Sequence, residues 1–264
     1  MSKQIRLGQV RRETPASGYI AWYPGMQAAT DTQVTDRSGR ANHLTKTAGA
    51  TWNNNGSTGV WETANYFSSQ ENATAYWTEL ANAVFAAWDY ASGDSLLLAW
   101  RGLLTTPAST SRFLGNSGTA SIGFCARVYQ STGLVDFQLM HGATPTVLTL
   151  PAAGGTAAAW GAGSPNEAHY AIGIDASRKK LYAFKDGVVD ANVNGLTIGD
   201  GVTAYDFRPP SSNFKFGGAA SSAGVSASFR DFHIVTKRGG FTDLPKTVSF
   251  LANSRFIQLP ERLL

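Results

Sequence analysis

Short stretches in which apolar and polar residues alternate recur along the chain. The clearest covers residues 170–175, and residues 181–185 repeat it after a polar, basic turn. The turn dipeptide Asp186-Gly187 then precedes another apolar pair. Alternation with a period of two is typical of half-buried strands joined by tight turns. The pattern therefore predicts a β-meander from residue 170 to residue 189.

The same pattern predicts strands over most of the remaining chain, with few helices among them. Further strands are expected at residues 18–23, just after 36–43, and at 95–100, 111–115, 121–129, 134–140, 146–150, 213–218 and 228–235. Residues 152–166, rich in Ala and Gly around Trp160, are expected to form a long loop.

Two stretches have helical character. In residues 72–91, apolar side chains recur every four positions, which predicts a helix there. Asp243 is suited to cap a second, short helix that runs from Pro245 to about Ala252, because proline is favoured in the first turn.

Composition and domain organisation agree with an all-β protein. The chain has 264 residues, of which 15% are charged and 28 are glycines, a balance that suits short strands and many turns. No clean linker divides it. We therefore predict an extended arm over residues 1–17, one domain over 18–252 and a tail over 253–264.

Charge is concentrated at the two ends of the chain. Residues 1–13 contain four basic side chains and one acidic one, and residues 230–264 contain six basic and three acidic ones. This distribution favours contact with a partner at the ends over a broad nucleic-acid surface, although solvated terminal charges explain it equally well. The arm residues proposed to serve assembly are Lys3, Arg6, Arg11 and Arg12.

Cysteine content and the first residues bear on where the protein folds. Cys125 is the single cysteine, so the chain forms no internal disulfide. The stretch Met1 to Gln9 has charges but no apolar leader segment. We therefore expect folding in a reducing cytosol, without membrane insertion.

Five motifs occur in an order that matches a known family. They are Ala21-Trp22-Tyr23, the turn at residues 36–43, Leu98-Ala99-Trp100, the pair 169–172 with 181–187, and the closing stretches 216–218 and 229–234. This order resembles the laminin-G-like, concanavalin-A-type jelly roll. The resemblance implies a two-sheet antiparallel sandwich whose concave face and rim loops often bind glycans. Together with the residue patterns it predicts an all-β jelly-roll sandwich that carries one or two short helices.

Signals for catalysis or a cofactor are weak. A glycosidase of this fold would need two carboxylates two or four residues apart on one strand, and the closest pair, Asp186 and Asp190, straddles a turn. No nucleophile elbow, phosphate loop or zinc-protease motif is present. His43, His141, His169 and His233 are expected to be turn or surface residues. No cofactor is predicted, although Asp31 and Asp36 are the residues to examine for calcium.

Aromatic residues are the remaining candidates for binding, since sugar rings stack on tryptophan. Trp22, Trp88 and Trp100 lie in periodic apolar contexts and are expected in the core. The candidates near polar loops are Trp52, Trp61, Trp77 and Trp160, for which plugging an end of the sandwich is an equally good explanation.

A fold usually displayed outside cells, on a chain with no export signal or disulfide, is explained by a phage protein that folds in the host cytosol. We therefore expect a non-enzymatic, lectin-like virion protein of the tail or baseplate, which joins other virion proteins and contacts host-surface glycans. Capsid decoration, a polysaccharide-active enzyme and a free carbohydrate-binding module are the alternatives.

Overall fold

The computed structural model describes most of the predicted domain. The described residues are 18–24, 32–46, 51–54, 65–69, 77–79, 88–104, 111–115, 122–128, 135–141, 146–150, 167–189, 194–198, 214–216, 227–254 and 263. For residues 51–54, 65–69, 77–79, 111, 122, 140–141, 146–150 and 227–228 the description covers the backbone alone.

The described elements are β-strands and one helix. The strands are β1 (Tyr19–Tyr23), β2 (Gln33–Val34), β3 (Leu44–Lys46), β4 (Thr51–Asn54), β5 (Asn65–Ser69), β6 (Trp77–Glu79), β7 (Asp94–Leu104), β8 (Ser111–Gly115), β9 (Ile122–Val128), β10 (Val135–His141), β11 (Thr146–Leu150), β12 (Ala168–Asp175), β13 (Lys180–Lys185), β14 (Val188–Val189), β15 (Leu196–Thr197), β16 (Lys215–Phe216) and β17 (Ala227–Arg238). The helix, α1, is Leu244–Asn253.

These strands form two antiparallel sheets. Sheet I has the order β14-β13-β12-β7-β17-β5-β4, with β1 also paired to β17 and β15 to β13. Sheet II has the order β11-β10-β9-β8-β16-β6-β3-β2. The predicted all-β, two-sheet architecture is confirmed, as is the meander, in which β12, β13 and β14 are neighbours.

The alternation seen in the sequence divides sheet I between two apolar clusters. In β7, Leu96, Leu98 and Trp100 belong to the core between the sheets, whereas Leu97 and Ala99 belong to a second cluster with α1. We call that second side the outer face of sheet I. The strand is buried on both faces, which explains its nearly continuous apolar sequence.

Helix α1 covers the outer face and has the predicted cap. The Oδ1 atom of Asp243 accepts a hydrogen bond from Lys246 N at 3.0 Å, and Pro245 lies in the first turn. The buried side chains of α1 are Leu244, Thr247, Val248 and Leu251. In the tail, Leu263 packs against the same cluster and its carbonyl accepts from Thr247 Oγ1 at 3.1 Å.

The helix predicted over residues 72–91 is wrong where the structure describes it. Residues 77–79 form β6, which pairs with β3 and β16, and residues 90–93 form a turn. Trp88 is nonetheless buried, and its ring contacts Phe124 of sheet II. Long-range strand pairing has overridden a local spacing of four, which side chains in short strands and turns also produce.

No helix in the described part of the chain combines the length and the apolar character needed to cross a membrane.

Candidate functional site

The predicted sugar-stacking residues are only partly described. Trp52 lies in β4 opposite Phe67, and Trp77 lies in β6 between Phe216 and Lys46 of the neighbouring strands. Trp61 and Trp160 lie outside the described residues, as do the arm residues Lys3, Arg6, Arg11 and Arg12. Their binding and assembly roles therefore stay predictions.

The tryptophans assigned to the core divide into two groups. Trp88 and Trp100 are buried between the sheets, as predicted. Trp22 instead packs against the outer cluster and stacks on His233, with 5.9 Å between ring centroids. Its Nε1 atom donates to Asp231 Oδ1 at 2.9 Å, so the indole is anchored by a polar contact as well as by packing.

Asp36, a candidate for calcium, organises its own loop. Its Oδ1 accepts from Trp22 N at 2.9 Å and Ser38 N at 2.8 Å. Its Oδ2 accepts from Ser38 Oγ at 2.7 Å and Asn42 N at 3.0 Å. Four donors occupy the lone pairs that a calcium ion would need, so the arrangement fits a loop anchor and does not fit a calcium ligand. Asp31 lies outside the described residues.

The loop around Asp36 also covers the free edge of β1. Arg40 Nε donates to the carbonyl of Tyr19 at 2.9 Å, and Asn42 Nδ2 donates to that of Ile20 at 2.8 Å. An uncovered edge strand would present these carbonyls to other chains. The motif that resembles the family's turn thus has a structural role here.

Two of the four histidines are buried within strands, contrary to the turn or surface positions predicted for them. His169 and His233 are 2% and 1% exposed. His43 lies in the Asp36 loop, where its Nδ1 accepts from Asp36 N at 3.0 Å, and the side chain of His141 lies outside the description. The local sequence around His169 and His233 does not indicate their burial, because it carries no sign that other elements cover the outer face of sheet I.

His233 is held by partners from three directions. The Tyr19 hydroxyl lies 2.9 Å from its Nδ1, and the indole of Trp22 stacks on its ring. Its Nε2 lies 3.2 Å from Asp231 Oδ1, within ion-pair distance but without hydrogen-bond geometry. Asp231 lies at a bulge of β17 and has a φ of 48°, a left-handed conformation that is rare outside glycine. This group fastens β1 to β17.

A row of polar side chains crosses the three central strands of the same face. His169 of β12 lies opposite Arg101 of β7, which lies opposite Arg230 of β17. Arg101 Nη2 donates to the carbonyl of Ala252 at the end of α1, and Arg230 Nη2 donates to Glu167 Oε1. A cation at a helix C-terminus is favourable, so Arg101 helps to hold α1 on the sheet.

Burial, together with the positive charge of Arg101, lowers the pKa of His169 to about 3. The imidazole is therefore neutral at neutral pH. A general base works best with a pKa near the working pH, which makes His169 poorly suited to proton transfer there.

The outward-pointing residues of sheet II at β9 and β10 are also polar and mostly buried. Arg127 binds both carboxylate oxygens of Asp136 across the two strands. Cys125 Sγ lies 3.5 Å from Gln138 Oε1, and burial raises the pKa of the thiol to about 11. The thiol stays protonated at neutral pH, unlike a catalytic nucleophile.

Within the described residues, the buried carboxylates are engaged by structural partners. No group of three or more His, Cys, Asp or Glu side chains in this part of the chain is placed to hold a metal ion. Asp36, Asp136 and Asp175 are each buried and engaged by donors from their own loop or strand pair.

Comparison with known proteins identifies the fold. The binding domain of Paraclostridial Mosquitocidal Protein 1 matches with a TM-score of 0.64 over 89% of this chain and 52% of that one, at 12% identity. The binding domain of botulinum neurotoxin DC gives 0.61 over 90% and 52%, at 11% identity. The chain has the concanavalin-A-like sandwich fold.

A third similar structure, Trypanosoma rangeli sialidase, has a TM-score of 0.55 at 15% identity and is covered over 33% of its length. The chain therefore spans about half of either toxin domain and a third of the sialidase. At these identities the likeness is one of fold. No family model and no curated protein matches the sequence.

Proposed function

We propose that this chain is a non-enzymatic, lectin-like module that binds glycans. The observation that carries the proposal is the match of about nine-tenths of the chain to toxin binding domains. One of those domains is described in complex with SialylT, and a related neurotoxin type C is described as entering cells through two ganglioside molecules. Both are glycan ligands of those proteins, and we carry only this class of ligand to the present chain.

The described side chains support a binding role over catalysis. The imidazole of His169 and the thiol of Cys125 have pKa values far from neutrality, in directions that suit neither a base nor a nucleophile. Buried carboxylates such as Asp36 and Asp136 are engaged by neighbouring donors. A glycosidase needs two carboxyl groups facing one substrate, which this arrangement does not offer among the described residues.

We further propose that the module belongs to a phage virion, on the tail or baseplate, with capsid decoration as the alternative. Support comes from the single, reduced cysteine and from the basic charge at both chain ends. Many copies on one particle would convert weak individual contacts into useful avidity.

A glycan array on the purified full chain tests binding directly. We expect signal on a subset of glycans, reduced by at least one of the substitutions Trp52→Ala, Trp61→Ala, Trp77→Ala and Trp160→Ala in a variant that remains folded. Absence of signal at high protein concentration would contradict the lectin-like proposal.

The enzyme alternative has a separate readout. Incubation with host-surface polysaccharide should release no new reducing ends if the module only binds. Release of reducing ends that increases with protein concentration and with time would show that the protein is an enzyme instead.

A further inference from the structure

One end of sheet I gathers basic side chains from two loops that are distant in sequence. Thr236, Leu96 and Ile174 lie side by side on β17, β7 and β12, so Lys237 and Arg238 overhang the same end as the turn after β12. Strands are about 4.8 Å apart, which places the two loops within roughly 10 Å. We call the surface formed by Arg178, Lys179, Lys180, Lys237 and Arg238 the basic pole.

The turns at this pole are in contact. The backbone N–H of Gly239 donates to the carbonyl of Gly93 at 3.1 Å. A Cβ atom at Gly240, whose φ is 89°, would lie 2.8 Å from Ser177 Oγ. Lys179 has a φ of 51°, and its carbonyl accepts from Ile198 N at 2.9 Å. The basic residues therefore lie on loops that contact one another.

Two carboxylates near the pole, those of Asp175 and Asp94, accept hydrogen bonds from residues of the adjoining turns. Asp175 is 2% exposed, and its oxygens accept from Ser177 Oγ, Arg178 N and Arg178 Nη1. Burial opposes its ionisation, but these hydrogen bonds outweigh burial and lower its pKa. Asp94 Oδ2 accepts from Asp89 N at 3.3 Å.

Three of the basic side chains at the pole are not engaged in this way. The side chains of Lys179, Lys237 and Arg238 make no hydrogen bond or ion pair with the residues that the structure describes. Lys179 and Arg238 are exposed, and Lys237 is partly so. The pole therefore presents Lys179, Lys237 and Arg238 outward, whereas Asp175 is buried in its turn and Asp94, opposite Arg238, is half-buried.

The described part of the pole lacks the apolar centre of a protein interface. Among the described residues, the exposed large apolar side chain is Val188, in β14. It lies beyond the turn of Asp186, whose N–H donates to the carbonyl of His169 near the other end of β12. Protein interfaces usually have apolar or aromatic cores, and single-stranded nucleic acids need stacking platforms. A charged, flexible polymer without apolar groups fits the pole better.

We propose that the basic pole binds the negative groups of an acidic polysaccharide, with Lys179, Lys237 and Arg238 as the contact residues. This inference rests on the proposed glycan-binding function and assigns it a ligand class and a surface. Exposed cations on separate loops suit a repeating polyanion, because each contact is weak and several add along the polymer.

Gly18, the residue that follows the arm in the sequence, lies at the same pole, since its carbonyl accepts from Thr236 N at 2.7 Å. The experiment must therefore distinguish the contribution of the arm's four basic residues to binding from that of the basic residues in the turns. The experiment compares the full chain, a truncation that lacks residues 1–13, and the triple variant Lys179→Gln, Lys237→Gln, Arg238→Gln. Lys185→Gln, near the opposite end of β13, is the control for Lys179→Gln.

Binding is measured to polysialic acid, to neutral dextran and to duplex DNA of matched charge, by interferometry between about 50 and 150 mM NaCl, where screening grows. We expect the full chain to bind polysialic acid but not dextran. The triple variant should bind about tenfold more weakly and with less salt dependence, while Lys185→Gln and the truncation keep most of the affinity.

Unchanged affinity of the triple variant, or loss of affinity in the truncation alone, would overturn the assignment to the turns. Tighter binding to DNA would overturn the polysaccharide assignment. If the array shows neutral glycans bound equally by the full chain and the triple variant, this inference fails while the proposed lectin-like function stands. A chain that binds no glycan at all fails both.

Discussion

At the scale of single residues, the buried polar side chains act mainly as anchors. Asp36 holds its own loop against β1, Asp231 and His233 hold β1 against β17, and Arg101 holds the end of α1. Each is costly to bury alone, and each has a polar partner in the fold. Removing one partner should therefore cost more than an average surface substitution.

Substitution Asp36→Ala tests this expectation. It would leave backbone N–H groups of Trp22, Ser38 and Asn42 without their acceptor. We expect the free energy of unfolding to fall by about 2–3 kcal/mol, measured by urea denaturation. Gln33→Ala, on an exposed side chain of β2, is the control and should change stability by less than about 0.5 kcal/mol. Equal effects of the two substitutions would show that the Asp36 loop is not an anchor.

The lowered pKa of His169 should be visible in the pH dependence of the free energy of unfolding. Its pKa is about 3 in the folded protein, against an ordinary value of 6.5, so the unfolded chain takes up the proton first as the pH falls. The contribution to stability is full above about pH 6.5 and is lost progressively toward pH 3.

We expect the free energy of unfolding of His169→Asn to fall less steeply than that of the natural chain between these pH values. Denaturant titrations at a series of pH values measure both curves, and carboxylate titration is common to the two proteins. Parallel curves would contradict a neutral, buried His169.

At the scale of elements, close packing between sheet I and α1 depends on a glycine without special backbone geometry. A Cβ atom at Gly173 would lie 2.5 Å from Leu244 Cδ2, so a larger residue there must displace the Leu244 side chain, which lies in the first turn of α1. The requirement arises from tertiary packing, and it is invisible in the alternating pattern of β12.

A double-mutant cycle tests this contact. Gly173→Ala should destabilise the protein by about 1–3 kcal/mol through overpacking, and Leu244→Ala by about 2–4 kcal/mol through a cavity. The double variant should lose less than the sum, because the new methyl group enters the space left by the leucine. Thermal or urea unfolding gives all four values, and strict additivity would show that Gly173 and α1 do not press on each other.

Element prediction succeeded where pattern and turn chemistry agreed. The strand at Ser111–Gly115 was predicted to the residue, and α1 to within a residue, because Asp243 and Pro245 mark its start. Asp186 and Gly187 have φ values of 51° and 82°. Both are positive, as a two-residue hairpin loop with an Asp-Gly turn requires. Residues 77–79 were assigned wrongly because their partners, β3 and β16, are distant in sequence.

At the scale of the whole molecule, helix α1 closes the outer face of sheet I, and β1 begins at the basic pole. The sheet surface under the helix is therefore not open to a ligand. Contacts with other molecules are therefore expected at the pole, the rim loops and the arm.

Deletion of residues 1–13 tests the assembly role proposed for the arm. The truncated chain should remain folded and soluble, because the deletion ends before β1, but it should no longer join the particle. Circular dichroism checks the fold, and the protein content of purified particles checks incorporation. Normal incorporation would remove the arm from the assembly mechanism.

The amino-acid sequence by itself determined many of the strands and turns and the all-β class, because alternation and turn dipeptides are local properties of the chain. It also marked the charge at the ends. The tertiary structure decided which faces are covered, and therefore that His169 and His233 are buried and that Asp36 is an anchor. It also brought Lys179 to the same end of sheet I as Lys237 and Arg238. Burial and proximity across strands depend on pairing between distant segments, which no local pattern contains.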